Sequence, residues 1–143
     1  MTTYIVKDEG MPSDSQQVAE RINRSAADVY AYVAHPPHIA AWAPGLGTAV
    51  ERDGDDWYVD SPMGRVKVVF AAPNELGVLD HEVTLPTGER FYNPLRVVPY
   101  GDGSEIVFTV RRTPGMSDAE HARDAAAVAA DLSRLKQILE SGE

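Results

Sequence analysis

Between Thr48 and Arg111 the chain alternates apolar and polar positions in short runs separated by Gly, Pro, Asp and Asn. Val66, Val68 and Phe70 share one face and Lys67 and Val69 the other; Ile106, Phe108 and Val110 alternate in the same way with Val107, Thr109 and Arg111. Alternation of this kind predicts half-buried strands, and the turn residues between them predict an antiparallel meander. The runs are Thr48 to Arg52, Trp57 to Asp60, 66–70, Val78 to Leu85, Glu89 to Tyr100 and 106–111. Within the fifth run Pro94 cannot donate to a ladder, so a bulge or bend is expected there. Upstream, Gln17 to Asn23 reads as a first strand. Ser25-Ala-Ala-Asp28 reads as a helix start, and His35-Pro36-Pro37 ends that helix. A second short helix is expected over about Pro37 to Trp42.

After Thr113-Pro114-Gly115 the period changes to that of a helix. His121, Ala125, Val128, Leu132, Leu135 and Leu139 recur at steps of four and three, the spacing of one helix face. Ser117 and Glu120 form a capping box, and Gly142 stands where a C-cap glycine belongs. Such a helix is about 36 Å long, enough to cross a small domain. Its second half carries leucines, while its first half carries Ala122, Ala125, Ala126 and Ala129. Large side chains fill space and alanines leave it, so a helix sealing one end of a sheet with room at the other is expected. The whole pattern is α+β: an antiparallel sheet with a long helix on one face. Concavity of that kind is where small-molecule sites form. Residues 1–15 read as a tail or short edge strand around Tyr4-Ile5-Val6, and residues 16–143 as one domain.

Composition narrows the classes. A chain of 143 residues with 43% hydrophobic and 24% charged residues is that of an ordinary globular domain. The formal charge of −9 argues against nucleic acid, which attracts basic patches. No apolar run is long enough to span a membrane, and Met1 to Gly10 lacks a signal peptide's apolar core. There is no cysteine, hence no disulfide and no thiolate chemistry. A cytoplasmic monomer or homodimer without metal or cofactor is the expectation.

The order strand, two short helices, strands, long helix resembles the START-like (SRPBCC) superfamily, within it the polyketide cyclase/dehydrase and lipid-transport group. The resemblance covers roughly Gln17 to Glu140. It rests on that order, the Ser-capped first helix, the segment Pro36-Pro37-His38-Ile39-Ala40-Ala41-Trp42 before a Gly-rich stretch, and the closing amphipathic helix. It implies a helix-grip fold, a curved sheet of about seven strands wrapped around the C-terminal helix with a cavity between them. It also implies binding of a small hydrophobic or aromatic molecule, with or without cyclase or dehydratase chemistry. The chaperone-linked branch, an interaction module without a small ligand, is the alternative. That branch usually shows paired tryptophans before the proline, and Ala41-Trp42-Ala43-Pro44 has one.

In Leu79-Asp80-His81-Glu82-Val83 the strand period carries His81 inward with the apolar face. There it is a candidate general base or hydrogen-bonding anchor, or a core histidine with its bonds satisfied. Phe91 and Asn93 share a face by the same arithmetic, and Asn93 could orient a ligand oxygen or bridge the backbone at Pro94. Arg96 joins Asn93's face if Pro94 makes a bulge and the opposite face if it does not. His121 falls on the inward stripe of the last helix, flanked by Ala125. Trp42 is near the cavity mouth in the resembled fold, and Trp57, Phe70 and Phe108 are further candidate lining residues. Two histidines without a third ligand do not make a metal site.

Overall fold

The computed structural model describes residues 15–141. The expected edge strand near Tyr4 and the Gly142 cap lie outside the described residues. Strand β1 (Ser15–Ile22) leads into helix α1 (Ala26–Val33), a single 3-10 turn (Pro36–His38) and helix α2 (Ile39–Trp42). Strands β2 (Ala49–Asp53), β3 (Asp56–Ser61), β4 (Gly64–Phe70), β5 (His81–Thr84), β6 (Arg90–Asn93), β7 (Leu95–Tyr100) and β8 (Gly103–Arg111) follow, and helix α3 (Asp118–Glu140) closes the chain.

Every strand pairing is antiparallel, in the orders β1-β8-β7 and β2-β3-β4-β5-β6. The expected seven strands are therefore eight, in two sheets. Pro94 is the reason: with no N–H to give, it ends β6, and the chain resumes as β7 on a new partner, β8. The carbonyl of Pro94 still accepts from the Thr109 N–H at 3.0 Å. Residues 78–80, expected as the start of a strand, instead join with Gly77 to stitch the sheets. Leu79 N–H donates to Leu95 O at 2.8 Å, Val97 N–H to Gly77 O at 3.0 Å, and Ala71 N–H to Asp80 O at 2.8 Å. Gly77 permits this close approach. Its φ is +76°, and a Cβ there would collide with the carbonyl of Val97.

Both N-caps expected from sequence form. Asp28 N–H donates to Ser25 Oγ at 3.1 Å, but the Asp28 carboxylate turns to Arg24 rather than back to the cap. At α3 both halves of the box are present, Glu120 N–H to Ser117 Oγ at 3.1 Å and Ser117 N–H to Glu120 Oε1 at 2.8 Å. Helix α3 buries His121, Ala125, Leu132, Leu135 and Leu139. Its last turns are fastened to the β1–α1 corner: Asn23 N–H reaches Glu140 Oε2 at 2.7 Å, and Arg24 Nη1 reaches Leu139 O at 2.7 Å. The core lies between those turns, the sheet and α1, where Ile22, Val29, Val33, Ile106, Leu132 and Leu135 are fully enclosed.

Candidate ligand cavity

At the opposite end of α3 the helix and the sheet enclose a cavity of about 440 Å³. Its floor is the inward face of four strands: Val68 and Phe70 of β4, His81 and Val83 of β5, Phe91 and Asn93 of β6, Phe108 and Val110 of β8. Trp42 and Ile39 of α2 close one side, and Ala127, Val128 and Asp131 of α3 form the roof. Exposed Gly45, Met63, Arg111 and Asp124 surround the mouth.

His81 is the central polar group of the floor. The ladder places it directly between Phe70 and Asn93. Its ring lies 5.3 Å from that of Phe70 and 5.8 Å from that of Phe108, edge-on to the latter. It is 6% exposed. Burial pushes its pKa down, more than the Leu79 carbonyl and the Asp80 charge push it up, so the ring is neutral at neutral pH. Nδ1 lies 3.1 Å from Leu79 O. A carbonyl only accepts, so Nδ1 carries the proton and Nε2 carries a lone pair. Among the described residues Nε2 has no partner. Trp42, 4% exposed, lines the cavity, but its indole Nε1 is enclosed away from the open space and without a partner among the described residues.

The reverse face of the same strands carries a different polar group. Asp80 is 2% exposed and every bond it needs is made. Tyr92 Oη donates to Oδ2 at 2.6 Å, Leu95 N–H to Oδ1 at 2.9 Å, Arg96 Nη2 to Oδ2 at 2.8 Å and Arg96 Nε to Oδ1 at 3.2 Å. Burial alone would raise its pKa. The bonds from Arg96, Tyr92 and Leu95 outweigh it and hold the carboxyl at about 2. In the roof, burial raises the pKa of Asp131 against the pull of Arg134, 3.2 Å away.

Trp42, Phe70, His81, Phe91, Asn93 and Phe108, named from sequence, meet in this cavity. Four others lie elsewhere. Arg96 is on the outer face with Asp80, because Pro94 changes the strand's partner without shifting its alternation: Leu95 and Val97 are buried and Arg96 is exposed. Trp57 lines a second hollow of about 300 Å³, with Tyr30, Pro36 and Leu79. Val68 and Phe70 border both hollows. His121 is packed against β8 with Nε2 at 3.2 Å from Val110 O, and Ala125 is buried beside it; neither is on the cavity wall. Ala122, Ala126 and Ala129 are exposed and off the cavity wall; Ala127, exposed as well, is the α3 alanine that borders the space. Asp131 and Asp124 went unnamed because the flank of α3 facing the cavity is set by how the helix crosses the sheet. Among the described residues no three His, Asp or Glu stand together as a metal-ligand set, and no helix is long and apolar enough to cross a membrane.

A family model described as polyketide cyclase/dehydrase and lipid transport matches residues 15–140. No curated protein sequence matches the chain. Among solved structures it is similar to DynU16, a protein of the dynemicin biosynthetic locus, at 19% identity and a TM-score of 0.68 over 92% of this chain. It spans only 49% of DynU16, about half of that protein's length. It is similar to MLL2253 from Mesorhizobium loti, at 14% identity and a TM-score of 0.69 over 90% of this chain and 98% of that one. It is also similar to CalU16 from Micromonospora echinospora, at 15% identity and a TM-score of 0.63 over 87% and 73%. At these identities the likeness is one of fold.

Proposed function

The chain belongs to the polyketide cyclase/dehydrase and lipid-transport family, and from that premise we propose that it binds a small hydrophobic or aromatic molecule between sheet and α3. The observation that carries the reading is the cavity itself. Its volume of about 440 Å³, within the usual range for ligand sites, is walled mainly by Val, Phe, Trp and Ile and holds a few polar side chains, His81 and Asn93 among them. Apolar walls supply affinity through removal of ligand surface from water, and the polar groups fix orientation.

Chemistry of the cyclase or dehydratase type fits the same arrangement. A neutral His81 with its lone pair on Nε2 can take a proton from an acidic hydroxyl or carbon beside it. Asn93, opposite on β6, can hold an oxygen as charge develops. Native mass spectrometry of the purified chain, followed by denaturation and analysis of released small molecules, tests the binding. An organic adduct that leaves on denaturation is the expected result. A clean apo mass that also takes up no apolar aromatic compound sinks the proposal.

A further inference from the structure

We infer that the smaller hollow around Trp57 is a second, separate ligand site, shaped for a compact neutral aromatic molecule that carries a hydrogen-bond acceptor such as a ketone oxygen. The inference does not depend on what occupies the main cavity. No residue of α3 lines this hollow, and it shares only the wall of Val68 and Phe70 with the larger space. Its other walls are Tyr30 of α1, Pro36 of the turn after it, Trp57 of β3 and Pro73 in the loop after β4. At about 300 Å³ it stands at the lower end of the range for small-molecule sites, with room for one or two rings and none for a helix or strand. Apart from Asp55 and Asp56 the lining is apolar or aromatic, which suits a flat ring. Both carboxylates have partners, Arg52 at 3.9 Å and Lys67 at 3.4 Å, so charge gives no ground for an ionic ligand.

The hollow is held open by hydrogen bonds rather than left by loose packing. Asn74 Oδ1 accepts from Leu76 N–H at 2.9 Å and from Val78 N–H at 3.1 Å, and its side-chain amide donates to Ala72 O and Val78 O, each at 3.0 Å. Together they fix the loop that carries Pro73. The backbone N–H of Asn74 then ties that loop to α1 by donating to Tyr30 Oη at 3.1 Å. Walls fixed before a ligand arrives leave less ordering entropy to lose on binding. The same bond sets the chemistry. Tyr30 Oη is its acceptor, so the hydroxyl proton is left over, and no acceptor among the described residues takes it. A ligand oxygen beside Tyr30 can accept that proton in a hydrogen bond, and a hydrocarbon of the same shape forgoes it.

The chain has two tryptophans, Trp42 on the main cavity and Trp57 on the hollow, so each indole N–H signal in nitrogen–proton correlation NMR reports one of the two spaces. The test is titration of the full chain with acetophenone and with ethylbenzene, the signals being assigned with Trp42→Phe. Acetophenone is expected to move the Trp57 signal along its own saturation curve and to bind about fivefold more tightly than ethylbenzene, the worth of one net hydrogen bond. Tyr30→Phe should abolish that difference and leave the ethylbenzene curve where it was. Should that variant fold poorly, the Asn74 amide signal of the unaltered chain replaces it: bonded to the same oxygen, it should move with acetophenone and stay with ethylbenzene. A Trp57 signal that neither probe moves, or that only follows the Trp42 curve, overturns the second site whatever the main cavity holds. Equal midpoints for the two probes overturn the selection for an acceptor.

Discussion

His81 and Asp80 are neighbours in sequence, both buried and both polar; His81 opens β5, Asp80 just precedes it, and they face opposite sides of the sheet. Asp80, on the outer side, takes four hydrogen bonds and joins the two sheets where Pro94 interrupts the ladder. His81, on the inner side, makes one side-chain bond, and its Nε2 has no partner among the described residues. A saturated polar group fixes structure, because nothing else can compete for it. One left open adds little to the fold and much to recognition. On the proposed reading, the pair separates stability from ligand recognition within two residues.

The largest way to break that contrast is on the outer side. Asp80→Ala leaves Leu95 N–H, Tyr92 Oη and Arg96 without their acceptor and should cost about 3 kcal/mol of stability in urea unfolding. Acid should reproduce part of this. The Asp80 pKa is depressed in the fold, so its contribution is full above the usual carboxylate range. It is lost as pH falls from 3.8 toward about 2, amounting to about 2 kcal/mol at most. A flat urea midpoint across that range would deny Asp80 its role.

On the inner side, His81→Phe should leave stability within about 1 kcal/mol of the parent in urea unfolding while weakening any ligand that bonds to Nε2 in the proposed cavity, the reverse of the Asp80 result. His81 also has a depressed pKa, and for a base this means the unfolded chain takes up the proton first. Stability should thus decline as pH falls below 6.5, down to the folded-state value, and His81→Phe should abolish that slope. Tyr92→Phe removes one of the four bonds to Asp80 and should cost about 1 kcal/mol, with ligand affinity unchanged. The smallest effect is expected at Asp131→Asn, which keeps an acceptor for Arg134 and should change the urea midpoint little.

Much of this was legible in the chain, element by element. The box at Ser117 and Glu120 and the stripe from His121 to Leu139 describe α3 because a helix's period and cap are local matters. Alternation carried His81, Phe91 and Asn93 inward for the same reason. Arg96 resisted because a proline can either shift a strand's phase or change its partner, and only the pairing of β7 with β8 decides. Trp57 and Ala125 resisted differently. Each is oriented as its element's period requires, yet which hollow an inward side chain reaches depends on where distant elements cross. Nor does the sequence reveal that Nε2 of His81 is open, since that follows from the Leu79 carbonyl occupying the other nitrogen.

Val68 and Phe70 stand between the main cavity and the hollow around Trp57. A partition one strand thick makes capacity change in a step. Shortening Phe70 would not enlarge the chamber by one ring's worth of room; it would open a passage into a second chamber of about 300 Å³. On the proposed reading, the length of ligand the scaffold could hold thus turns on Val68 and Phe70, so related chains could differ in the size class of molecule they hold while every strand, turn and cap remains where it is.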